Sequence, residues 1–305
     1  MEITAATPPA NLPQPSAPEC PSMPTSQPGF EVEFWGVRGS IPTPGKDTVR
    51  YGGNTSCVEM RAGGKRLIFD GGTGIRLLGR SLTDTEALTA YLFFTHYHWD
   101  HIQGVPLFEP LFKEGNCFHI HGAVTPDAGS MEEHFNDRIL HLGRSPVPLP
   151  QLRADLKFHD LAHGEAFQIG DVHIELGDLN HPNGAIGYRV TWQGKTVVYC
   201  TDTEHLPDRL DENVLTLARD ADILIYDAMY TDEEYHNPKS PKVGWGHSTW
   251  QEGFKVAKAA NVKQLVVFHH EPNHSDDMLD GIAAELGELC EHSCLAYEGL
   301  VLTLD

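Results

Sequence analysis

The sequence contains no apolar run long enough to cross a bilayer, so a membrane-spanning helix is not expected. It is also poor in bases. Its 22 Lys and Arg stand against 43 Asp and Glu, a formal net charge of -21 with histidine neutral. That field repels polyanions and makes a long nucleic acid a poor partner. A small phosphate ester held by metal cations is still admissible, because the ions dominate the local field. The first basic residue is Arg38, so the basic start of a secretory signal is missing. Six cysteines (Cys20, Cys57, Cys117, Cys200, Cys290 and Cys294) follow no repeating pattern. They read as thiols of a reducing, cytoplasmic compartment. Cys290 and Cys294, four apart in an expected helix, lack the second pair that a structural zinc requires. No repeat of solenoid period occurs. Asp70-Gly71-Gly72-Thr73-Gly74 matches neither glycine-rich nucleotide-binding pattern.

What is present is ample. A 305-residue chain with 40% hydrophobic residues can bury a sizeable core. Residues 1–28 hold eight prolines, which fix φ and remove amide donors, so they are expected to form a disordered tail. Residues 29–305 are expected to form one domain. Alternating residues predict strands over 31–35, up to Met60 and over 66–70, a β-meander. A short or kinked helix is expected after His101, where Ile102, Val105, Phe108 and Phe112 recur among prolines. A strand over 116–122 carries His119 and His121 on one face, with nothing nearby to complete a metal site. A helix is expected from Asp127 to Leu142, ended by the proline-spaced run 145–150.

Further strands are expected at 156–160 and 167–176, the latter turned at Gly170-Asp171. A hairpin over 186–200 turns at Gln193-Gly194, and strands at 221–227 and 263–268 follow. Ser248 and Gln251 have capping-box spacing before a helix that runs to Ala260. A last helix begins after Ser275, with Met278, Ile282, Leu286 and Leu289 as its buried stripe. Strands followed by helices in both halves predict an α/β fold with a two-sheet core covered by helices on both sides.

The densest chemistry lies in Thr95-His96-Tyr97-His98-Trp99-Asp100-His101, where four potential ligands fall within six positions. Buried imidazoles and carboxylates need partners to offset lost hydration, and two metal ions supply them. His with Asp suits zinc first, with manganese or iron as alternatives.

His-x-His-x-Asp-His resembles the signature of the metallo-β-lactamase fold superfamily, in the phosphodiesterase-like branch related to ribonuclease Z and the cyclic phosphodiesterases of phosphonate breakdown. The likeness continues through Asn180-His181-Pro182, Thr201-Asp202-Thr203-Glu204, Gly246-His247-Ser248-Thr249 and Phe268-His269-His270-Glu271-Pro272. It implies a four-layered αβ/βα sandwich and two divalent ions. His96, His98 and His181 would hold one ion, Asp100, His101 and His269 the other, and Asp202 would bridge them. His269 and His270 are both within reach; the ending of ribonuclease Z favours His269.

The resemblance further implies phosphodiester hydrolysis by a hydroxide shared between the ions. Asp100 would steady the nucleophile's proton, and His247 would stabilise charge or protonate the leaving oxygen, with Glu204 orienting it. Asp70 either orients a ligand or makes a turn. Arg38, Asn54, His270 and His274 are candidate substrate contacts, although Arg38 and Asn54 suit structural hydrogen bonds in their loops equally well. Trp99 and Trp245 either cover a base ring or pack in the core.

Ribonuclease Z carries a long arm between the positions of His181 and Asp202, where this sequence has room for one hairpin. A small or cyclic nucleotide-type substrate is therefore expected rather than transfer RNA, and relatives that dimerise imply a homodimer. The alternatives are a thioester, lactone or β-lactam hydrolase on the same ions, a di-iron redox protein, and a metal-stabilised binding protein without catalysis.

Overall fold

The computed structural model describes residues 29–82, 87–123, 129–140 and 152–305. The expected tail over 1–28, Leu142 and the run 145–150 lie outside the described residues.

The first half builds one sheet. β1 (Phe30–Gly36), β2 (Cys57–Ala62) and β3 (Lys65–Phe69) run antiparallel, and β4 (Thr89–Phe93), β5 (Cys117–Ala123) and β6 (Asp155–Leu161) add in parallel. The second half repeats the plan. β7 (Ala166–Ile169), β8 (Val172–Leu179), β9 (Ala185–Trp192) and β10 (Lys195–Cys200) are antiparallel, and β11 (Ile223–Asp227), β12 (Gln264–Phe268) and β13 (Ser293–Leu295) continue in parallel. β14 (Val301–Leu304) crosses back to pair with β1, so each sheet has seven strands. The meanders and the turns at Gly170-Asp171 and Gln193-Gly194 fall where expected. Gln193 and Gly194 both have positive φ (49° and 78°), the geometry a two-residue hairpin turn demands.

The sheets face each other across a core that includes Phe34, Phe69, Phe93, Tyr188, Tyr199 and Phe268. Phe69 touches Phe93, Tyr188 and Tyr199 at ring-centroid distances of 5.1, 5.3 and 5.8 Å, joining both sheets. Burying one such ring contributes roughly 1.5–3 kcal/mol. α1 (Ile75–Ser81), α2 (Trp99–Ile102) and α3 (Met131–His134) accompany the first sheet, whose outer face makes a second apolar cluster around Ile68, Leu78 and Phe118. α4 (Glu212–Ala218), α5 (Asp232–Tyr235), α6 (Trp250–Ala259) and α7 (Asp276–Leu289) accompany the second. α4, α6 and α7 cover its outer face around Val198, Leu224 and Val267. The result is the αβ/βα sandwich.

Several elements differ from the sequence expectation. After α2 the chain makes two 3₁₀ turns, Val105–Leu107 and Glu109–Phe112, because prolines at 106 and 110 cannot donate to an α-ladder. α3 is a single α-turn that widens into a π-turn over Phe135–Ile139. α6 is capped by Thr249, which accepts from the Glu252 amide, so the cap lies one residue later than the Ser248–Gln251 box suggested. In α7 Leu279, Ile282 and Leu286 are buried while Met278 and Leu289 are exposed, shifting the stripe by one position near the start. Cys290 follows α7 and Cys294 lies in β13, so the pair does not share a helix. Among the described residues, no helix is long and apolar enough to cross a membrane.

Candidate metal centre

The parallel strands of both sheets end on the same edge, and their next residues build the site. Asp70 follows β3, His96 lies just beyond β4, Asp202 follows β10 and His269 follows β12. His181 lies just past β8, and Asp227 is the last residue of β11. Asp70, Asp202 and His269 have φ of 61°, 55° and 64°. This left-handed backbone is costly for residues with a Cβ, and such strain collects at functional sites. It turns each side chain sharply out of its strand toward the shared edge.

Three four-residue groups converge there, each with potential ligand atoms within 4.8 Å of one another: His96, His98, His181 and Asp202; Asp100, His101, Asp202 and His269; and Asp202, Asp227, His247 and His269. Asp202 belongs to all three. Its Oδ2 is 3.5 Å from His96 Nε2, and its Oδ1 is 3.1 Å from His101 Nε2 and 3.2 Å from His269 Nε2. His98 Nδ1 lies 3.0 Å from His181 Nε2. His96 Nε2 and His101 Nε2 are buried and have no hydrogen-bond partner among the described residues. Lone pairs aimed at one another in this way suit two cations sharing one carboxylate, so the residues fit the implied metals.

The outer ring nitrogens are held. Asp70 accepts from His101 Nδ1 at 2.9 Å, Tyr199 Oη at 3.0 Å and the Thr95 amide at 2.9 Å. Thr95 Oγ1 bridges Asp70 and His96 Nδ1, both at 3.0 Å. Gly246 O accepts from His181 Nδ1 at 2.8 Å. These bonds set the tautomers that present Nε2 of His96, His101 and His181 to the centre. Asp70 therefore orients a ligand, one of the two roles its position allowed. The neighbouring loop contributes a contact the sequence did not reveal, the Ser40 amide donating to Asp100 Oδ2 at 2.8 Å.

Burial pushes His96, His98 and His181 below the ordinary histidine value, which keeps them in the neutral, metal-binding form. Burial acts the same way on His101, but Asp202, Asp100 and Asp70 outweigh it and lift the group well above that value.

His247 borders the centre. Its ring lies 5.0 Å from that of His269 and 5.3 Å from that of His181. Nδ1 donates to Asp227 Oδ2 at 2.8 Å, and Asp227 is fully buried. Burial disfavours the imidazolium, but the pairing with Asp227 overcomes that penalty and raises the pKa to about 9. The expected partner, Glu204, is committed elsewhere. Its carboxylate accepts from Tyr235 Oη at 2.5 Å and from the amides of Gly244 and Gly246 at 2.6 and 2.8 Å. It anchors the loop ahead of His247 rather than the imidazole. Asp227 was visible in sequence only as a carboxylate ending a strand.

The four proposed substrate contacts have structural partners. Buried Arg38 donates to the carbonyls of Gly52, Glu271 and His274 at 2.8, 3.1 and 2.7 Å, closing its own loop onto the segment after β12. Asn54 is held by Glu298 through its amide and its side chain. His270 donates to Ala296 O at 2.8 Å, facing away from His269 because the left-handed residue between strand and loop separates the two rings. His274 pairs with Glu234 at 2.8 Å. Of the two adjacent histidines, the structure brings His269 to the centre. Trp99 and Trp245 are 68% and 57% exposed, so neither packs in the core.

Fold and site together give two candidate metal-binding positions that share Asp202, an arrangement consistent with hydrolase activity. The chain belongs to the family of the Beta-lactamase superfamily domain, whose model matches residues 65–270, and stands on the phosphodiesterase-like branch of the metallo-β-lactamase superfamily. Ribonuclease Z of Methanosarcina mazei is 27% identical over 338 residues, covering 90% of this chain and 96% of its own. The metallo-beta-lactamase fold protein YhfI from Bacillus subtilis superposes with a TM-score of 0.67 at 19% identity, covering 90% of this chain and 99% of its own. A diphosphatase of the PhnP family superposes with a TM-score of 0.65 at 19% identity, covering 90% and 98%. These two likenesses are of fold.

Proposed function

We propose that the protein hydrolyses a phosphodiester of a small alcohol, of the cyclic-nucleotide type. The observation that carries this reading is the His247–Asp227 pair, 2.8 Å apart, beside two metal positions that share Asp202. Divalent ions held by His96, His98 and His181 and by Asp100, His101 and His269, with Asp202 between them, would supply Lewis acidity to the phosphoryl group and acidify water. Zinc is the ion the imidazole-rich set favours.

The chain's own part is then proton management and charge. Asp227 occupies the Nδ1–H of His247, so Nε2–H is the donor left for substrate. Water loses a proton to solvent as its oxygen bonds to phosphorus, and the P–O bond to the alcohol breaks. The leaving oxygen takes the Nε2 proton, and His247 regains a proton from solvent. A cationic His247 also stabilises the charge that develops on the phosphoryl oxygens. Asp100, held by the Ser40 amide, fixes one side of the centre.

A thioester releases a thiolate, which leaves as a stable anion without such an acid, so the buried His247 suits a substrate that releases an alkoxide. The Methanosarcina relative carries the name of a nuclease, and nucleases cleave phosphodiesters. A small substrate suits the net charge of -21 and the interval between His181 and Asp202, which holds only the β9–β10 hairpin.

Metal-quantified protein assayed on bis(p-nitrophenyl) phosphate and on 2',3'-cyclic and 3',5'-cyclic nucleotides tests the reading. Metal-dependent turnover that vanishes in Asp202→Ala supports it. Fully metallated protein that is inert on all of these, yet opens thioesters or lactones, overturns it.

A further inference from the structure

Two large aromatic side chains stand out in solvent beside the centre. Trp99 is the first residue of α2, between His98 and Asp100, and is 68% exposed. Trp245 directly precedes Gly246 and is 57% exposed. Their placement converges on one imidazole. His98 Nδ1 meets His181 Nε2 at 3.0 Å, and Gly246 O meets His181 Nδ1 at 2.8 Å. Each indole is thus attached one residue away from a group bonded to His181, one group at each ring nitrogen.

Trp245 is not a loose surface residue, and Trp99 starts a helix. The backbone around Trp245 is pinned by Glu204 through Gly244 and Gly246, and its own amide donates to Lys242 O at 3.1 Å. Lys242 Nζ sits 4.2 Å over the indole, a cation–π contact that sets the ring's plane. An ordered aromatic left exposed beside a metal centre is suited to anchor a ligand, because part of its ordering cost is already met.

We propose that Trp99 and Trp245 form an aromatic subsite that takes a planar ring of the substrate, a nucleobase, while its phosphoryl group lies on the metal centre. This rests on the phosphodiester reading and adds what the substrate carries beyond the scissile group.

Calorimetric titration of the zinc-loaded full chain with AMP and with ribose 5-phosphate tests it, since the two differ by the base. AMP is expected to bind about tenfold more tightly, the scale of one base stacked on an aromatic side chain. Trp99→Ala and Trp245→Ala should each shrink that gap, the double variant should bring it within twofold, and Trp245→Phe should keep part of it. Equal affinities in the wild type, no binding of either compound, or a gap that survives the double substitution overturns the subsite. Turnover of bis(p-nitrophenyl) phosphate without a base-dependent gap overturns the subsite alone. A gap without turnover on any phosphodiester supports the subsite and overturns the assigned reaction.

Discussion

Asp227 and His247 show how one buried pair sets the protonation of the whole site's edge. An imidazole at this depth would ordinarily stay neutral, but the carboxylate 2.8 Å from Nδ1 holds it protonated up to about pH 9. Its work as a proton donor should therefore depend on the leaving group. His247→Ala is expected to lower kcat by about 10²-fold or more on a cyclic nucleotide, whose leaving alkoxide needs the proton. On bis(p-nitrophenyl) phosphate, whose phenolate leaves as a stable anion, the loss should stay below about tenfold by the same Brønsted reasoning. Asp227→Asn should follow His247→Ala in direction, and the double variant should lose little more than His247→Ala alone, because the two act as a unit. Parallel kinetics on both substrates check this, and equal losses on both would remove His247 from the role of acid.

The elements carrying the site are rigid by construction, and the loop between α5 and α6 is the clearest case. Gly246 has φ of +86°, and a Cβ there would lie 2.4 Å from His181 Nδ1. Gly246→Ala should therefore displace His181 and weaken metal binding by roughly 10–100-fold, the usual cost of disturbing a ligand's outer partner. Competition with a chromophoric chelator measures it, with circular dichroism confirming the fold. A different element, the ladder across β4, β5 and β6, carries pH sensitivity. His121 stacks on Phe93 and His159 at 4.6 and 4.4 Å, and burial pushes its pKa down to about 3. The unfolded chain takes up a proton near pH 6.5 and the folded one does not until about 3, so stability is lost as pH falls through that window. At pH 5 this one group should cost about 2 kcal/mol. His121→Phe keeps the stack and removes the titration, so its melting temperature should fall less between pH 7 and pH 5 than that of the wild type.

For the whole molecule, both sheets lend residues to one centre, so metal binding and folding are coupled. His96, His98, Asp100 and His101 come from the first sheet's edge, and His181, Asp202 and His269 from the second's. Ions that bind only this closed arrangement stabilise it by mass action, about 2.7 kcal/mol at a free concentration of 100 times Kd. Stripping with a chelator should lower the melting temperature, and zinc should restore it. Asp202→Ala, lacking the shared ligand, should show little zinc-dependent rise.

Local chemistry was legible in the sequence. Ligand residue types, their crowding at strand ends, the meanders and the hairpin turns all follow from spacing, alternation and turn-forming residues, which need no distant partner to be read. β13 and β14 were not anticipated, since three and four residues are too few for a period to show. The partner of His247 was a matter of tertiary structure. Glu204 stands close to the Asp202 motif in sequence, but β11 is parallel to both β10 and β12, and its last residue, Asp227, arrives between Asp202 and His269. The same holds for Arg38, Asn54, His270 and His274. Their polar side chains looked available in sequence, and only the folded chain showed each already bonded to a carbonyl or carboxylate of a distant segment. Sequence thus determined which groups could bind metal and move a proton. The meeting of two sheet edges decided which of them face one another, because those contacts join residues far apart along the chain.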